Sequence, residues 1–317
     1  MTRLVAVDVG GTHVRFAIAS LEDGRITLAE PLTLETADHP GLESAWRAFE
    51  QAAGSELPPA AAVAIAGPVS GDRVPMTNSP WVLRISDFKR EAGLETLTVL
   101  NDFGAVAHAV AQAPADQLVH IAGPDKPLPE RGTVSVIGPG TGLGVAHFHR
   151  FQGGYHVQAT EGGHIGFAPQ DEFDDHLLAS LRQLYGRVAT ERVNAGPGIA
   201  LIYAALGGQA LTNDRVIWER GLAGEDDLAA RAVERFCTSL GATAGDYALA
   251  HGASALVLAG GLGLRLREIL PRSDFGKRFC AKPRYETMMA AIPVKLIVHP
   301  QPGLFGAAAA FAAEHGA

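Results

Sequence analysis

The sequence has little cysteine and little positive charge, and each shortage excludes a class of protein. Its 317 residues include two cysteines, Cys237 and Cys280, too few for a disulfide framework or a four-cysteine zinc site. Lysine and arginine number 26 against 34 acidic residues, which gives a formal net charge of −8. A chain this acidic, without a basic block, is poorly suited to binding a phosphate backbone. We therefore expect no nucleic-acid partner.

Long apolar runs are also missing. Stretches without a charged residue, such as 247–264 and 296–313, are interrupted by glycine, histidine or proline, so we predict no membrane span. The apolar run directly before Asp8 is only four residues long, too short for a signal peptide. Because both thiols are expected to be free, the sequence predicts a cytoplasmic protein. Its length suits about two domains, at roughly 150 residues per domain.

The spacing of apolar residues predicts an α/β chain. The predicted strands are 4–9, 14–19, 26–33, 61–66, 97–100, 134–137, 145–149, 255–259 and 294–298. The predicted helices are 41–53, 86–93, 103–113, 171–185, 214–220 and 226–250, with Ser86 as the N-cap of the second. Beyond residue 149 we expect mainly helix. Apolar residues recur every four positions in the last of these helices, which predicts one core-facing stripe.

The first hairpin has a counterpart later in the chain. At equal spacing, Val7, Gly11, Thr12 and Ala17 match Val136, Gly140, Thr141 and Ala146. Both segments consist of a strand, a Gly-Thr turn and a returning strand, which indicates a duplicated fold.

The turn Asp8-Val9-Gly10-Gly11-Thr12 follows the first predicted strand. Glycines leave backbone N–H groups unobstructed, and such a turn can hold phosphate oxygens. Asp8 would then be placed to meet a hydrated Mg²⁺ that rides on those phosphates. A plain hairpin turn with a solvated aspartate is the alternative interpretation.

Two further glycine turns could contact a nucleotide. Gly138–Gly144 is a second candidate phosphate loop, although Leu143 stands where the dinucleotide fingerprint needs its last glycine. Gly260-Gly261 follow a predicted strand, so a flat nucleoside could approach the backbone there, or the pair is a strand-to-helix turn. The sequence has neither a P-loop motif nor the serine-hydrolase elbow.

Polar residues that suit a substrate with hydroxyl groups occur at two places. Asn101-Asp102 follow a predicted parallel strand, at the edge where open α/β sheets place ligands. Asp102 could accept a proton from a substrate hydroxyl, or it could be the N-cap of the next helix. Glu161-Gly162-Gly163-His164 offers a carboxylate and an imidazole, which suit sugar hydroxyls, or it is a polar loop.

Histidine is common, with 12 residues, and His147 and His149 lie in one predicted strand. No cysteine or carboxylate cluster accompanies them in the sequence. We therefore predict no protein-held metal and interpret them as surface or hydrogen-bonded histidines.

Nine motifs, spread over nearly the whole chain, form a specific set in this order. They are Asp8–Thr12, Met76-Thr77-Asn78, Asn101-Asp102-Phe103, Gly140–His147, Glu161–His164, Glu191-Arg192-Val193, Gly196-Pro197-Gly198, Ala259-Gly260-Gly261 and Pro302-Gly303-Leu304. The set resembles the bacterial ATP-dependent glucokinase family, within the sugar kinase/Hsp70/actin superfamily. Two departures stand out. His13 replaces an Asn of the family's loop, and the cysteine-rich zinc motif of the repressor-type (ROK) sugar kinases is missing.

The resemblance implies a role for each matching residue. Asp102 would be the base that acts on the 6-hydroxyl of D-glucose. The residues implied in sugar binding are Asn101, Glu161, His164 and Glu191. Those implied in ATP binding are Val7, Asp8, Val9, Gly10, Gly11 and Thr12 in the first loop, Thr141 and Gly142 in the second, and Gly260 and Gly261 at the adenosine edge. Mg²⁺ would arrive with the nucleotide, and a homodimer is expected.

The implied fold is α/β: a two-domain actin-like ATPase (ribonuclease H-like) fold with an interdomain cleft. The small α/β domain would hold residues 1–110 and 300–317, and the large one residues 111–299.

Three other functions stay open. The first is a kinase of the same fold for mannose, fructose or an amino sugar. The second is a sugar-sensing regulator, which needs a helix-turn-helix that the seven residues before Asp8 do not supply. The third is a polymerising ATPase, which has no use for the sugar-type residues.

Overall fold

The computed structural model describes residues 1–77, 79–209 and 213–316. They form two compact units. The first contains Met1–Ala113, Val157–Ala159 and the C-terminal segment from His299 onwards, and the second contains Pro114–His156 and Thr160–Val298. Within this described part of the chain, no helix is both long and apolar enough to span a membrane.

The two units contain both strands and helices. The strands are β1 Thr2–Val9, β2 His13–Glu22, β3 Arg25–Leu28, β4 Leu32–Glu35, β5 Ala60–Ile65, β6 Arg73–Pro75, β7 Val82–Arg84, β8 Thr96–Asn101, β9 Leu118–Ala122, β10 Gly132–Pro139, β11 Leu143–Phe151, β12 Gly154–Thr160, β13 Ala253–Leu258 and β14 Val294–Ile297. The α-helices are α1 Leu42–Ala53, α2 Ile85–Glu91, α3 Asp102–Gln112, α4 Glu172–Tyr185, α5 Glu191–Asn194, α6 Gly198–Ala205, α7 Asp214–Ala223, α8 Asp227–Ala250, α9 Gly260–Arg265, α10 Phe275–Cys280, α11 Glu286–Ala290 and α12 Pro302–His315.

The first unit is organised around a mixed sheet with the strand order β3-β2-β1-β5-β8, and β4 pairs with β2. β1 pairs antiparallel with β2 and parallel with β5, which pairs parallel with β8. Successive residues of β1 point to opposite faces. Val5 belongs to the core cluster of Trp46 in α1, whereas Leu4 belongs to the cluster of Leu304 in α12. Both faces are therefore covered, which explains the unbroken apolar run before Asp8.

The second unit contains a sheet with the order β12-β11-β10-β13-β14-β9. β10 pairs antiparallel with β11 and parallel with β13, which pairs parallel with β14. Both sheets thus place an antiparallel hairpin beside two parallel strands in the same order. This agreement confirms the duplicated fold that the two Gly-Thr turns indicate.

Two local predictions are wrong. The strand predicted over 26–33 is divided into β3 and β4, because Pro31 lies between them and has no N–H to donate. Ser86 is not an N-cap, since α2 begins one residue earlier. Its amide and hydroxyl instead donate to the Asp72 carboxylate at 2.8 and 3.0 Å.

The second half differs from expectation in its central helix and in two strands. Every residue of α8 from Phe236 to Gly245 is buried, so this stretch is core on all sides rather than along one stripe. The strands β9 and β12 were not predicted, because they are mostly half-buried or exposed and carry weak apolar alternation.

Candidate active site

The glycine turn between β1 and β2 is held in place by its neighbours. The Gly10 amide donates to the His13 carbonyl across the turn at 2.9 Å. Thr36, which is buried, donates its hydroxyl to the Gly10 carbonyl at 3.1 Å and its amide to the Thr12 carbonyl at 2.8 Å. Gly11 and Thr12 are exposed. The turn is therefore a fixed loop with an open tip, as binding of phosphate oxygens requires.

The other residues of this loop contribute through their backbone or through packing. The side chains of Val7 and Val9 are buried in the core of the first unit, so only their backbone groups can contact a nucleotide. His13 Nε2 lies 3.0 Å from Glu35 Oε1. The histidine at this position thus connects the turn to β4.

Asp8 lies beside a positive charge. It is paired with Arg15 in the register of β1 and β2, and Arg15 Nη1 lies 3.4 Å from Asp8 Oδ2. The Asp8 side chain is 22% exposed. Burial raises the pKa of this carboxyl, and the Arg15 guanidinium opposes that shift. Arg15 was not among the predicted site residues, although hairpin pairing, which puts directly opposed residues on one face, is a signal that could have found it.

The donor set fits Mg²⁺ that arrives with a nucleotide. Mg²⁺ keeps several waters and binds one or two carboxylates together with phosphate oxygens, and Asp8 supplies one carboxylate beside the loop. In the described ranges, no three His, Cys, Asp or Glu side chains are grouped so that they could hold a metal.

His147 and His149 have other neighbours. The centre of the His147 ring lies 4.4 Å from the centre of the His251 ring, and His149 Nδ1 lies 3.1 Å from the Thr133 hydroxyl.

Asn101, and not Asp102, is the N-cap of α3. Asn101 Oδ1 accepts from the amides of Phe103 and Gly104, both at 2.9 Å, and Nδ2 donates to the Gly67 carbonyl at 3.1 Å. The interpretation of Asp102 as the cap is therefore wrong. Asp102 is the first residue of α3, where the helix dipole favours a carboxylate. Asn101 keeps one amide hydrogen for a ligand, because its other side-chain groups are already bonded.

The second glycine turn, between β10 and β11, is also fixed from outside. The Gly140 amide donates to the Gly142 carbonyl at 2.8 Å. The Gly196 amide donates to the Gly140 carbonyl at 2.7 Å, and Trp218 Nε1 donates to the Gly196 carbonyl at 3.0 Å. Thr141, at the tip, is exposed. The Gly196-Pro197-Gly198 motif thus supports the loop at whose tip Thr141 lies.

Gly260 lies next to the same turn. A Cβ at Gly260, whose φ is +83°, would be 2.9 Å from the Pro139 carbonyl oxygen at the end of β10. The position therefore needs glycine both for its backbone conformation and for the close approach. Gly261 is exposed, with open space around its Cα. The second loop and the expected adenosine edge are thus adjacent.

The three predicted sugar-binding side chains of the second unit are close together. His164 Nε2 lies 3.9 Å from Glu161 Oε2, and His164 Nδ1 lies 3.6 Å from Glu191 Oε1. The other Glu191 oxygen, Oε2, accepts from the Leu143 amide at 3.4 Å. Glu191 therefore lies between His164 and the second glycine turn. Glu161 and His164 are exposed, whereas the Glu191 side chain is only 23% exposed.

Part of the family motif falls outside the described residues. This holds for Asn78, the last residue of Met76-Thr77-Asn78. Ala317, at the end of the predicted small domain, also lies outside the described residues. The Thr77 amide donates to the Ala66 carbonyl at 2.9 Å.

The paired mixed sheets and their glycine turns define the two-domain α/β fold of the sugar kinases. A solved glucokinase from an Antarctic psychrotroph superposes with a TM-score of 0.86 at 33% identity, covering 98% of both chains. The glucokinase of Balamuthia mandrillaris, solved with glucose, gives a TM-score of 0.81 over 99% of this chain and 94% of that one. Its identity is 20%, so this likeness concerns the fold. The predicted fold class is confirmed.

Sequence comparison narrows the class to one family. The family model described as Glucokinase matches residues 4–314. The glucokinase of Zymomonas mobilis subsp. mobilis is 50% identical over 318 residues, which cover 98% of both proteins. The chain belongs to the glucokinase family, as the motifs predict.

Proposed function

We propose that this protein transfers the γ-phosphoryl group of ATP to the 6-hydroxyl of D-glucose. The position of Glu191 carries the proposal, because its carboxylate contacts both His164 and the Leu143 amide of the second turn. A sugar bound by Glu161, His164 and Glu191 would have its hydroxyls beside a loop that suits phosphate. The family and its glucose-phosphorylating members support the same acceptor.

The two glycine turns would hold the nucleotide. Backbone N–H groups of the first turn, Gly10 to Thr12, and of the second, at Thr141 and Gly142, would hold the phosphates, and Gly260-Gly261 would lie along the adenosine. Asp8 would hold Mg²⁺ through its carboxylate, with Arg15 beside it. The bound ion would neutralise charge on the phosphates. Such charge neutralisation, together with positioning of the reactants, accounts for most of the catalysis of phosphoryl transfer.

Asp102 would act as the general base. Asn101 is the N-cap of α3, and Asp102 follows it as the first residue of the helix, where its Oδ1 also accepts from the Phe103 amide at 2.8 Å. Asp102 would accept the proton of the 6-hydroxyl, and the remaining Asn101 amide hydrogen would orient that oxygen. We also propose, on the family resemblance, a cytoplasmic location and a homodimer.

One substitution with a matched control tests the base. Asp102→Asn should lower kcat by about 10²- to 10⁴-fold while calorimetric glucose affinity changes little, because the base is needed in the transition state. Asp214→Asn is the control, since Asp214 also follows an asparagine N-cap, Asn213, at the start of α7. It should leave kcat unchanged.

The assay follows ADP production with glucose, mannose, fructose and glucosamine compared side by side. Turnover that is faster on another sugar would overturn glucose as the substrate. Asp102→Asn activity within a few-fold of wild type would remove Asp102 from the mechanism and leave the acceptor assignment standing.

A further inference from the structure

A buried tyrosine in α8 contacts the turn that carries two of the sugar-binding side chains. The Tyr247 hydroxyl donates to the carbonyl of Gly162, between Glu161 and His164. Tyr247 is 4% exposed and belongs to the core of the second unit. It does not contact a substrate position itself. What it can control is the orientation of the peptide between the two ligands.

The turn is shaped to be held rigidly. A Cβ at Gly162 would be 2.8 Å from Val145 Cβ, so the turn packs directly on β11. Thr160 Oγ1 accepts from the Gly162 amide at 3.2 Å, and the Ile165 amide donates to the Gly162 carbonyl at 2.9 Å. A carbonyl has two lone pairs. Ile165 closes the turn through one, and Tyr247 fixes the turn to α8 through the other.

Tyr247 is in turn fixed from the sheet. Its ring stacks on His251, with ring centres 5.9 Å apart. His251 Nδ1 lies 2.8 Å from the hydroxyl of Ser135, a fully buried residue of β10. The hydroxyl that meets Gly162 is therefore placed by two rigid elements, the central helix and the sheet.

We infer that Tyr247 is a positioning residue for the sugar, acting through the Gly162 carbonyl to hold Glu161 and His164 in a binding arrangement before glucose arrives. The inference rests on the proposed function. Without the Tyr247 hydrogen bond the turn would keep its packing on β11, but the Gly162 peptide would be less firmly oriented. Part of that ordering would fall to the sugar, and ordering at the moment of binding lowers affinity. A buried hydroxyl that merely satisfies its own hydrogen bond would affect stability alone.

The test uses Tyr247→Phe with Tyr203→Phe as the matched control. Tyr203 is also a buried tyrosine of the second unit. Its hydroxyl donates to Asp226 at 3.2 Å and not to the Gly162 carbonyl. Tyr247→Phe should weaken glucose binding, measured by calorimetry without nucleotide, by about three- to tenfold, the effect of one hydrogen bond. The KM for ATP should stay the same, and Tyr203→Phe should leave glucose affinity unchanged.

Amide hydrogen exchange supplies a readout besides activity. In Tyr247→Phe, exchange over residues 161–165 should accelerate relative to wild type, while the core of α8 keeps its protection. Unchanged exchange with unchanged glucose affinity would overturn the inference, and so would equal loss of glucose affinity in both variants. A wild-type protein that binds no glucose would instead refute the proposed function.

Discussion

The Asp8 carboxylate occupies the space that a side chain at position 303 would need. A Cβ on Gly303 would lie 2.6 Å from Asp8 Cγ and 2.7 Å from Oδ2. Gly303 is the second residue of α12, so the carboxylate lies against the first turn of that helix. Burial disfavours the charged form of Asp8, whereas the positive end of a helix and Arg15 favour it. The Pro302-Gly303-Leu304 motif thus makes room for the residue expected to meet Mg²⁺.

Gly303→Ala should raise the Mg²⁺ concentration needed for half-maximal activity by about tenfold, because Asp8 must rotate away from the new methyl group. Glucose affinity should not change. In an Asp8→Ala background the same substitution should cost nothing further, since residues that act through one another are not additive. Magnesium titrations of the coupled assay measure both effects.

Gly306→Ala is the control for this experiment. Its Cβ would meet the backbone of Ala105 in α3, away from Asp8. We expect a lower thermal midpoint with an unchanged Mg²⁺ dependence of the folded enzyme. If both glycine variants shift only the thermal midpoint, then Gly303 is needed for helix packing and does not affect Mg²⁺ binding by Asp8.

Asn101 should have two separable functions, as the N-cap of α3 and as a ligand of the sugar, and Asn101→Ala should lose both. Asn101→Ala removes the N-cap of α3 and should lower the free energy of unfolding by about 1 kcal/mol. Asn101→Ser keeps a capping oxygen but is too short to replace the amide that donates to Gly67, so stability should largely return while glucose affinity stays low. Urea unfolding and calorimetry measure the two effects. Glucose affinity that recovers along with stability would contradict a direct role for Asn101 in sugar binding.

Stability should fall on mild acidification because of His251. Burial, and then the nearby His147, lower the pKa of His251 to about 4 from an ordinary 6.5. Between about pH 6.5 and pH 4, His251 is therefore protonated in the unfolded chain but not in the folded protein. The stabilisation is complete above pH 6.5 and is lost as the pH falls toward 4, by up to about 3 kcal/mol.

His251→Asn should flatten this part of the pH profile, since asparagine does not titrate and can still bond to Ser135. Urea unfolding of both proteins between pH 7.5 and 4.5 measures the difference. Parallel profiles for the two proteins would show that other groups cause the slope.

Much of the site could be predicted because its residues follow strand ends. Asp8 is the second-last residue of β1 and Asn101 is the last residue of β8. Alternating or continuous apolar residues mark out both strands, and parallel strands bring such ends to one edge of a sheet. The glycine turns are equally local signals. The sequence therefore predicts the loops, the acidic residues at their ends and the duplicated hairpin.

The supporting residues could not be predicted, because their roles depend on contacts between distant parts of the chain. Thr36 fixes the first loop and Trp218 supports the second, and each comes from a separate helix or helical turn. Tyr247 reaches a turn that lies 85 positions away in the sequence. Nothing in a tyrosine on a buried helix distinguishes it from ordinary core until the partner is known.

Glu191 should affect both substrates, whereas Glu161 should affect one. Glu191 Oε1 lies 3.6 Å from His164 Nδ1, and Oε2 accepts from the Leu143 amide in the second glycine turn. Glu191→Gln replaces one acceptor oxygen with a donor, so it can preserve only one of these contacts. We expect the KM for glucose to rise by roughly tenfold or more, as for loss of a charge-assisted hydrogen bond. The KM for ATP should rise several-fold as well, because the neutral amide oxygen of Gln would hold the Leu143 amide of the turn more weakly than the carboxylate does.

Glu161→Gln is the matched control, and it should change the KM for glucose alone, because the Glu161 carboxylate pairs with His164. Initial rates over a grid of glucose and ATP concentrations separate the two constants. An ATP KM that is the same in both variants and in wild type would show that Glu191 binds sugar without supporting the phosphate loop.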